Sequence, residues 1–182
     1  DQSVLVVWDQ EKGINIGDPV FWARRFARTD IQAGARIVQV GAGVGYYTAI
    51  LSHLAGPDGH VVAYDVEEPL LERARANLAG YPNVTLHLGN AATDLQGEGP
   101  FDLVVAFAGV THLPALWSSR LAPRGRMLVP LTGSDWWGAT ILATRRETGF
   151  KAITLGHCGV YPCAGARDNA LAKRIDACFK VS

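Results

Sequence analysis

The 182-residue chain has no uninterrupted apolar run near the roughly 18 residues that a membrane-spanning helix needs, because charges, Gly or Pro break every hydrophobic stretch. A bilayer span is thereby excluded, and a cytoplasmic protein with no membrane partner is expected. Excess charge is also lacking, since 17 Lys and Arg balance 17 Asp and Glu. That balance removes the broad positive field of non-specific nucleic-acid binding, and no specific nucleic-acid partner is expected. Cysteine is scarce. Cys158, Cys163 and Cys178 all lie late in the chain, their odd number argues against a disulfide framework, and no second ligand pair stands at zinc-like spacing. They read as small buried hydrophobes, and no metal is expected. No internal repeat, low-complexity tract or polar linker interrupts residues 1–182, which are read as a single domain of unassigned oligomeric state. The first residue is Asp1 rather than Met, so the start is read as processed or trimmed.

Hydrophobic residues make up 48% of the chain and charged residues 19%, enough apolar surface to offset chain entropy. From Arg36 onward, short β-branched runs alternate with helical patterns, the signature of βαβ units and a parallel sheet. Ile37–Val40 predicts a first strand, followed by a helix from Tyr46 to Ala55 that Gly56 and Pro57 close. His60–Asp65 predicts a second strand. The next helix carries Leu70, Leu71, Ala74 and Leu78 on one face and stops at Gly80. Further strands are predicted at Val84–Leu88, Phe101–Ala106 and Arg126–Leu131, with a helix over Leu113–Leu121. Thr140–Thr144 and Ala152–Leu155 are joined by the short Arg145–Gly149 turn, which predicts an antiparallel hairpin at the sheet edge. The expected class is α/β: a Rossmann-like three-layer α/β/α fold, mostly parallel, with an antiparallel terminal hairpin. Residues 1–35 are read as a substrate and lid segment, 36–165 as the core, and 166–182 as a C-terminal helix packed on the domain.

The strongest local signal is Val40-Gly41-Ala42-Gly43-Val44-Gly45, which ends the first strand and opens its helix. Glycines allow a sharp turn and close backbone approach, while a helix N-terminus presents unpaired N–H groups to an anion. An anionic small molecule is expected there, with a ligand-free tight turn as the plain alternative. Asp65, at the end of the second strand, suits either two ribose hydroxyls or the capping of the following helix. The glycines read G-x-G-x-G rather than G-x-G-x-x-G, which makes a nicotinamide dinucleotide the second choice of cofactor. In Gly89-Asn90-Ala91-Ala92, the Asn90 amide suits an adenine contact or a turn. Phe107-Ala108-Gly109 is expected to border the same crevice, beyond the carboxyl ends of the strands.

Together these segments resemble the protein-L-isoaspartate O-methyltransferase family. The likeness is carried in order by Ile37-Val38-Gln39-Val40-Gly41-Ala42-Gly43-Val44-Gly45-Tyr46, Gly59-His60-Val61-Val62, Glu72-Arg73-Ala74-Arg75-Ala76-Asn77-Leu78, Phe101-Asp102 and Leu121-Ala122-Pro123-Arg124-Gly125-Arg126. The resemblance implies a class I methyltransferase fold and S-adenosyl-L-methionine as cofactor. It assigns that cofactor to Gly41, Ala42, Gly43, Gly45 and Tyr46, to Asp65 and Val66 at the ribose, and to Asn90, Ala91 and Ala92 at the adenine. Departures are Gln39 and Asn90, where the family usually has acids, and Gly17, where a catalytic Ser is expected within Gly13-Ile14-Asn15-Ile16-Gly17-Asp18-Pro19.

The implied reaction is methyl transfer to an oxygen of a protein, peptide or small molecule. A carboxylate is the first choice, since it is ionised near neutral pH and needs alignment more than a base. Substrate contacts are expected from Asn15, Ile16, Gly17, Asp18, Ala108 and Gly109, and catalytic roles from Asn15, Asp18 and His112. Asp18 or His112 would serve as base for a hydroxyl acceptor. Gly17 makes isoaspartyl peptides expected poor acceptors, and keeps open a second class, a cofactor-binding module without transfer. Trp136 and Trp137 suit a substrate wall or a core edge, with the core edge preferred.

Overall fold

The computed structural model describes residues 7–9, 14–96 and 99–179. Gly13, part of the segment resembling the family's substrate loop, lies outside the described residues. The short strands β1 (Val7–Asp9) and β2 (Ile14–Asn15) pair antiparallel ahead of helix α1 (Pro19–Thr29). Helix α1 is absent from the elements predicted above, although its start is written in the sequence. The Asp18 carboxylate accepts from the Val20 N–H at 2.9 Å, and Pro19 occupies the first turn, where a missing N–H costs nothing.

The rest follows the βαβ alternation. Strand β3 (Arg36–Val40), α2 (Tyr46–Ala55), β4 (His60–Asp65), α3 (Glu68–Asn77), β5 (Val84–Leu88), β6 (Phe101–Ala106), α4 (Ala115–Arg120), β7 (Leu121–Thr132), β8 (Trp137–Arg145), β9 (Phe150–Gly159) and α5 (Asn169–Phe179) occur in that order. Seven strands form one sheet, ordered β5-β4-β3-β6-β7-β8-β9. Pairings are parallel from β5 to β7, and β8 is antiparallel to both its neighbours. This is the Rossmann-like class I methyltransferase fold with its terminal hairpin. Helix α4 is shorter than predicted and β7 starts earlier, because Leu121 already pairs with Phe101 and its carbonyl accepts from the Arg145 guanidinium. Among the described residues no helix is long and apolar enough to cross a membrane.

Alternation along the buried strands sends residues to two cores. Val38, Val62, Val104 and Met127 pack with Trp117, while Ile37, Val61, Leu103 and Leu128 pack with Trp22, Phe26, Tyr47 and Leu51. Trp117 is fully buried, and its indole N–H donates to the Ala91 carbonyl at 2.8 Å, which ties the loop after β5 to the core. Strand β3 has β4 on one side and β6 on the other. The chain therefore leaves a crevice at the carboxyl ends of β3 and β6, the switch point where ligands of open α/β sheets collect.

Candidate functional site

The glycine loop hangs from the end of β4. The N–H groups of Gly41 and Ala42 both donate to the Tyr64 carbonyl, at 2.9 and 2.8 Å. The Gly43 N–H donates to Asp65 Oδ2 at 2.7 Å, and that of Gly45 to the Ala42 carbonyl at 3.0 Å. These four donors are thus consumed in shaping the loop, so the groups left for an anion are the first-turn N–H groups of α2, whose N-cap Gly45 offers no side chain. Gly43 has a φ of +54, and a Cβ there would meet nothing within 4 Å, which lets a ligand lie against bare backbone. Gly45 does a different job from the ligand contact expected of it. A Cβ on Gly45 would lie 2.7 Å from Leu78 Cδ1, so this glycine lets α2 pack against α3.

A crevice of about 480 Å³ opens beside the loop, bordered by Gly41, Gly43, Asp65, Val66, Asn90 and Ala91 among others. Asp65 is buried. Its second oxygen accepts from the Glu67 N–H at 2.9 Å, so it opens α3 as well as facing the crevice. Asp65 thus leads into α3 and borders the crevice at once. Asn90 likewise forms a turn, its Oδ1 accepting from the Ala92 N–H at 2.9 Å, while it borders the crevice; Ala92 does not border it. The opposite wall is Tyr161, Pro162, Cys163 and Ala164, of which the sequence pointed only to Cys163, and to that only as a small buried hydrophobe. They are laced to the end of β6: the Gly109 N–H donates to the Tyr161 carbonyl at 2.7 Å, and the Cys163 N–H to the Gly109 carbonyl at 2.8 Å. Gly109 serves this lacing rather than a substrate, since a Cβ there would lie 2.3 Å from Thr132 Oγ1. The Arg167 guanidinium fastens the same corner by donating to the carbonyls of Gly109, Thr132 and Gly133.

A second cavity, of about 500 Å³, adjoins the first and shares Asn15, Phe107 and Tyr161 with it. Asn15, Ile16, Gly17 and Asp18 form one side, as the sequence suggested, and Trp136 and Trp137 stand on the other. The two tryptophans are 47% and 52% exposed, which overturns their reading as a core edge. Phe107 is the hub of the inner wall, with ring centroids 4.2 Å from Trp22 and 4.8 Å from Tyr47. His112 borders neither cavity, and its Nδ1 lies 3.1 Å from Thr111 Oγ1. Ala108 borders the first cavity, and Tyr46 a small one of about 70 Å³ between Asn15 and the glycine loop. Cys158 and Cys163 are buried as expected, whereas Cys178 is exposed. Burial raises the Cys163 thiol to about 11 and also pushes up Cys158 and Tyr47, so all three stay protonated near neutral pH. Gln39 is fully buried; its Nε2 donates to the Gly41 carbonyl at 3.1 Å and its Oε1 has no partner.

The family model described as protein-L-isoaspartate(D-aspartate) O-methyltransferase matches residues 5–153. The chain belongs to this family. It is 33% identical over 122 residues to protein-L-isoaspartate O-methyltransferase 2 of Archaeoglobus fulgidus, covering 66% of this chain and 55% of that one. With the protein-L-isoaspartate O-methyltransferase of a Roseiflexus species the identity is 32% over 151 residues, covering 82% of this chain and 66% of the relative. The chain thus spans about half to two thirds of the length of these relatives. A solved protein-L-isoaspartate O-methyltransferase structure superposes with a TM-score of 0.82 at 21% identity, covering 99% of this chain and 57% of its own. The Plasmodium falciparum structure described as a putative family member in complex with S-adenosyl-L-homocysteine gives 0.72 at 17% identity, covering 90% and 81%. At these identities the structural likeness is one of fold.

Proposed function

We propose that this chain is an S-adenosyl-L-methionine-dependent methyltransferase that transfers a methyl group to an oxygen of a protein, peptide or small molecule, with a carboxylate as first acceptor and, from membership of the family and against the expectation drawn from Gly17 alone, one of the isoaspartyl type. The observation that carries the reading is the pair of adjoining cavities, one floored by the glycine loop and Asp65, the other walled by aromatic rings, with Asn15, Phe107 and Tyr161 between them. The first suits the cofactor in size, within the range of about 300 to 1,000 Å³ typical of small-molecule sites, and in donor set. Asp65 has lone pairs left for ribose hydroxyls, Gly43 leaves room against its backbone, and the start of α2 offers N–H groups to a carboxylate. Asn90 and Ala91 border the end where an adenine would lie.

When bound, the cofactor supplies an activated methyl group on a sulfonium. The residues of this chain contribute orientation and exclusion of water. Asp65 and the loop fix one partner, Phe107 and Tyr161 separate the two volumes, and Asn15 borders both, so an acceptor in the second cavity is held against the first. An ionised carboxylate asks for no base, which agrees with His112 lying outside both cavities. Asp18 borders the acceptor cavity but spends one oxygen capping α1. The test is calorimetry with S-adenosyl-L-homocysteine and with NADH, followed by a labelled-methyl assay on an isoaspartyl peptide. Binding of the first ligand and transfer of label are expected; heat with NADH alone would replace this reading with a dinucleotide one.

A further inference from the structure

Two hydrogen-bond donors stand beside Gly17 with no acceptor among the described residues, the Tyr47 hydroxyl buried and the Trp22 indole N–H at the cavity surface. Tyr47, on α2, is 5% exposed, and its hydroxyl has no hydrogen-bond partner among the described residues. Trp22, on α1, is 3% exposed, and its indole N–H forms no hydrogen bond among the described residues. Both groups face the same missing side chain. A Cβ built on Gly17 would stand 3.2 Å from Trp22 Nε1 and 3.9 Å from Tyr47 Oη, and the φ of +74 at Gly17 disfavours any side chain there.

The notch so formed lies at the junction of the site. Gly17 and Trp22 border the larger aromatic cavity, and Tyr47 borders the small one that runs to Gly41 and Gly43. A buried donor left unsatisfied is costly, so the Tyr47 hydroxyl, with the Trp22 N–H directed at the same spot, is expected where a ligand atom completes it. The ligand's charge follows from what else borders the larger cavity. Among the described residues its charged side chains are Asp18 and Asp135, with no Lys, Arg or His, and neutral N–H and O–H donors are therefore the groups there that can hold an acceptor oxygen. Burial keeps Tyr47 protonated, and hence a donor, across the neutral range.

We propose that Tyr47 and Trp22 form the acceptor-carboxylate site of this chain, donating O–H and N–H to one carboxylate oxygen in the notch at Gly17 and leaving the other oxygen to take the methyl group. The proposal rests on the methyl-transfer reading above. In the transfer, a lone pair of the free oxygen forms the new C–O bond, the pair of the breaking C–S bond stays on sulfur, and no proton is released. Tyr47 and Trp22 thus act by holding the acceptor, not by acid or base chemistry. They stand where the resemblance leads one to expect a serine hydroxyl, supplied here from α1 and α2 instead.

The experiment uses the full chain saturated with S-adenosyl-L-homocysteine and an isoaspartyl peptide as probe. Tyr47→Phe keeps the ring packing and removes only the unbonded hydroxyl, so folding stability is expected to hold or rise and S-adenosyl-L-homocysteine affinity to stay unchanged while peptide affinity falls roughly tenfold. Where turnover is measured, the loss falls on KM with kcat retained, because the bond is present in the ground state and the transition state alike. In ¹⁵N spectra the Trp22 indole N–H, assigned through Trp22→Phe, shifts on peptide addition; if that variant does not fold, Tyr47→Phe alone decides. Equal peptide affinity in Tyr47→Phe and wild type overturns the proposal and leaves methyl transfer standing, and so does failure of the cofactor-loaded wild type to bind the peptide. Failure to bind S-adenosyl-L-homocysteine overturns the methyl-transfer reading and the proposal with it.

Discussion

The two cavities meet at Phe107 yet differ in how their polar groups are used. Around the cofactor crevice the groups are engaged before any ligand arrives: the Gly43 N–H on Asp65, the second Asp65 oxygen on the Glu67 N–H, and Asn90 Oδ1 on the Ala92 N–H. Around the acceptor cavity two tryptophans stand half-exposed, and beside it, behind Gly17, the Tyr47 hydroxyl lies buried with no partner among the described residues. Satisfied hydrogen bonds fix a shape in advance and so lower the ordering cost of binding. Unsatisfied ones leave part of the site to be completed by what binds. One half of the site is thus built on the fold and the other on its ligand.

The sharpest way to break the comparison is to disturb the finished half. Gly45→Ala puts a methyl group 2.7 Å from Leu78 Cδ1 at a φ of +89. Left-handed backbone costs an alanine about 1 to 2 kcal/mol and overpacking about 1 to 3, so a loss of roughly 2 to 5 kcal/mol is expected in urea unfolding. Asp65→Ala comes next. It removes the pin of the glycine loop together with the ribose acceptor, and S-adenosyl-L-homocysteine affinity is expected to fall by about 1.5 to 3 kcal/mol, roughly 10- to 150-fold, by calorimetry. Unchanged affinity in a folded variant would make Asp65 a helix-start residue only.

On the unfinished side the effects on stability are smaller. Gly17→Ser brings back a hydroxyl, but into a φ of +74 and against Trp22 Nε1 at 3.2 Å. A stability loss of about 1 to 2 kcal/mol and no gain in peptide methylation are expected. A clear gain would show that the loop relaxes to accept the serine. Trp137→Ala, at a half-exposed position, is expected to change stability by no more than about 0.5 kcal/mol while raising KM for the acceptor.

The same contrast explains what the sequence disclosed. The sheet and the glycine turn are local patterns of alternation, glycine spacing and strand-end acids, and they were legible strand by strand from Arg36 to Leu88. The acceptor half is assembled from afar: Trp22 on α1, Phe107 after β6, Trp137 on β8 and Tyr161 beyond β9 meet only once the sheet is folded. Their neighbours in sequence carry no sign of that meeting. Helix α1 is not among the predicted elements although Asp18-Pro19 marks its start, because residues 1–35 read as a substrate and lid segment without a helical spacing being drawn from them. The exposure of Trp136 and Trp137 follows from the turn between β7 and β8, where Trp136 takes a φ of +67 and Asp135 accepts from the Trp137 N–H. No pattern rule assigns that geometry to large aromatics.

Two tyrosines, one in each half, give the finest test. Tyr64, beside the cofactor crevice, donates its hydroxyl to the Gln96 carbonyl at 3.2 Å, whereas the Tyr47 hydroxyl has no partner. Near neutral pH, Tyr64→Phe is therefore expected to cost about 0.5 to 1.5 kcal/mol, and Tyr47→Phe to cost nothing and to stabilise the fold by up to about 1 to 3 kcal/mol, since it removes an unpaired buried hydroxyl. In alkali the two converge. Burial raises both pKa values in the folded protein, so the unfolded chain, with tyrosines at about 10, loses protons first. The stability present below that pH is lost as pH rises through 10, with a slope of at most about 1.4 kcal/mol per pH unit for each group. Each phenylalanine variant is expected to flatten the fall by one group's share, read from urea midpoints between about pH 8 and 11. Wild-type and Tyr47→Phe curves that run parallel throughout would mean that Tyr47 ionises in the folded protein as it does unfolded. The hydroxyl would then be in contact with water, and the distinction between a finished and an unfinished half would lose its buried, unpaired donor.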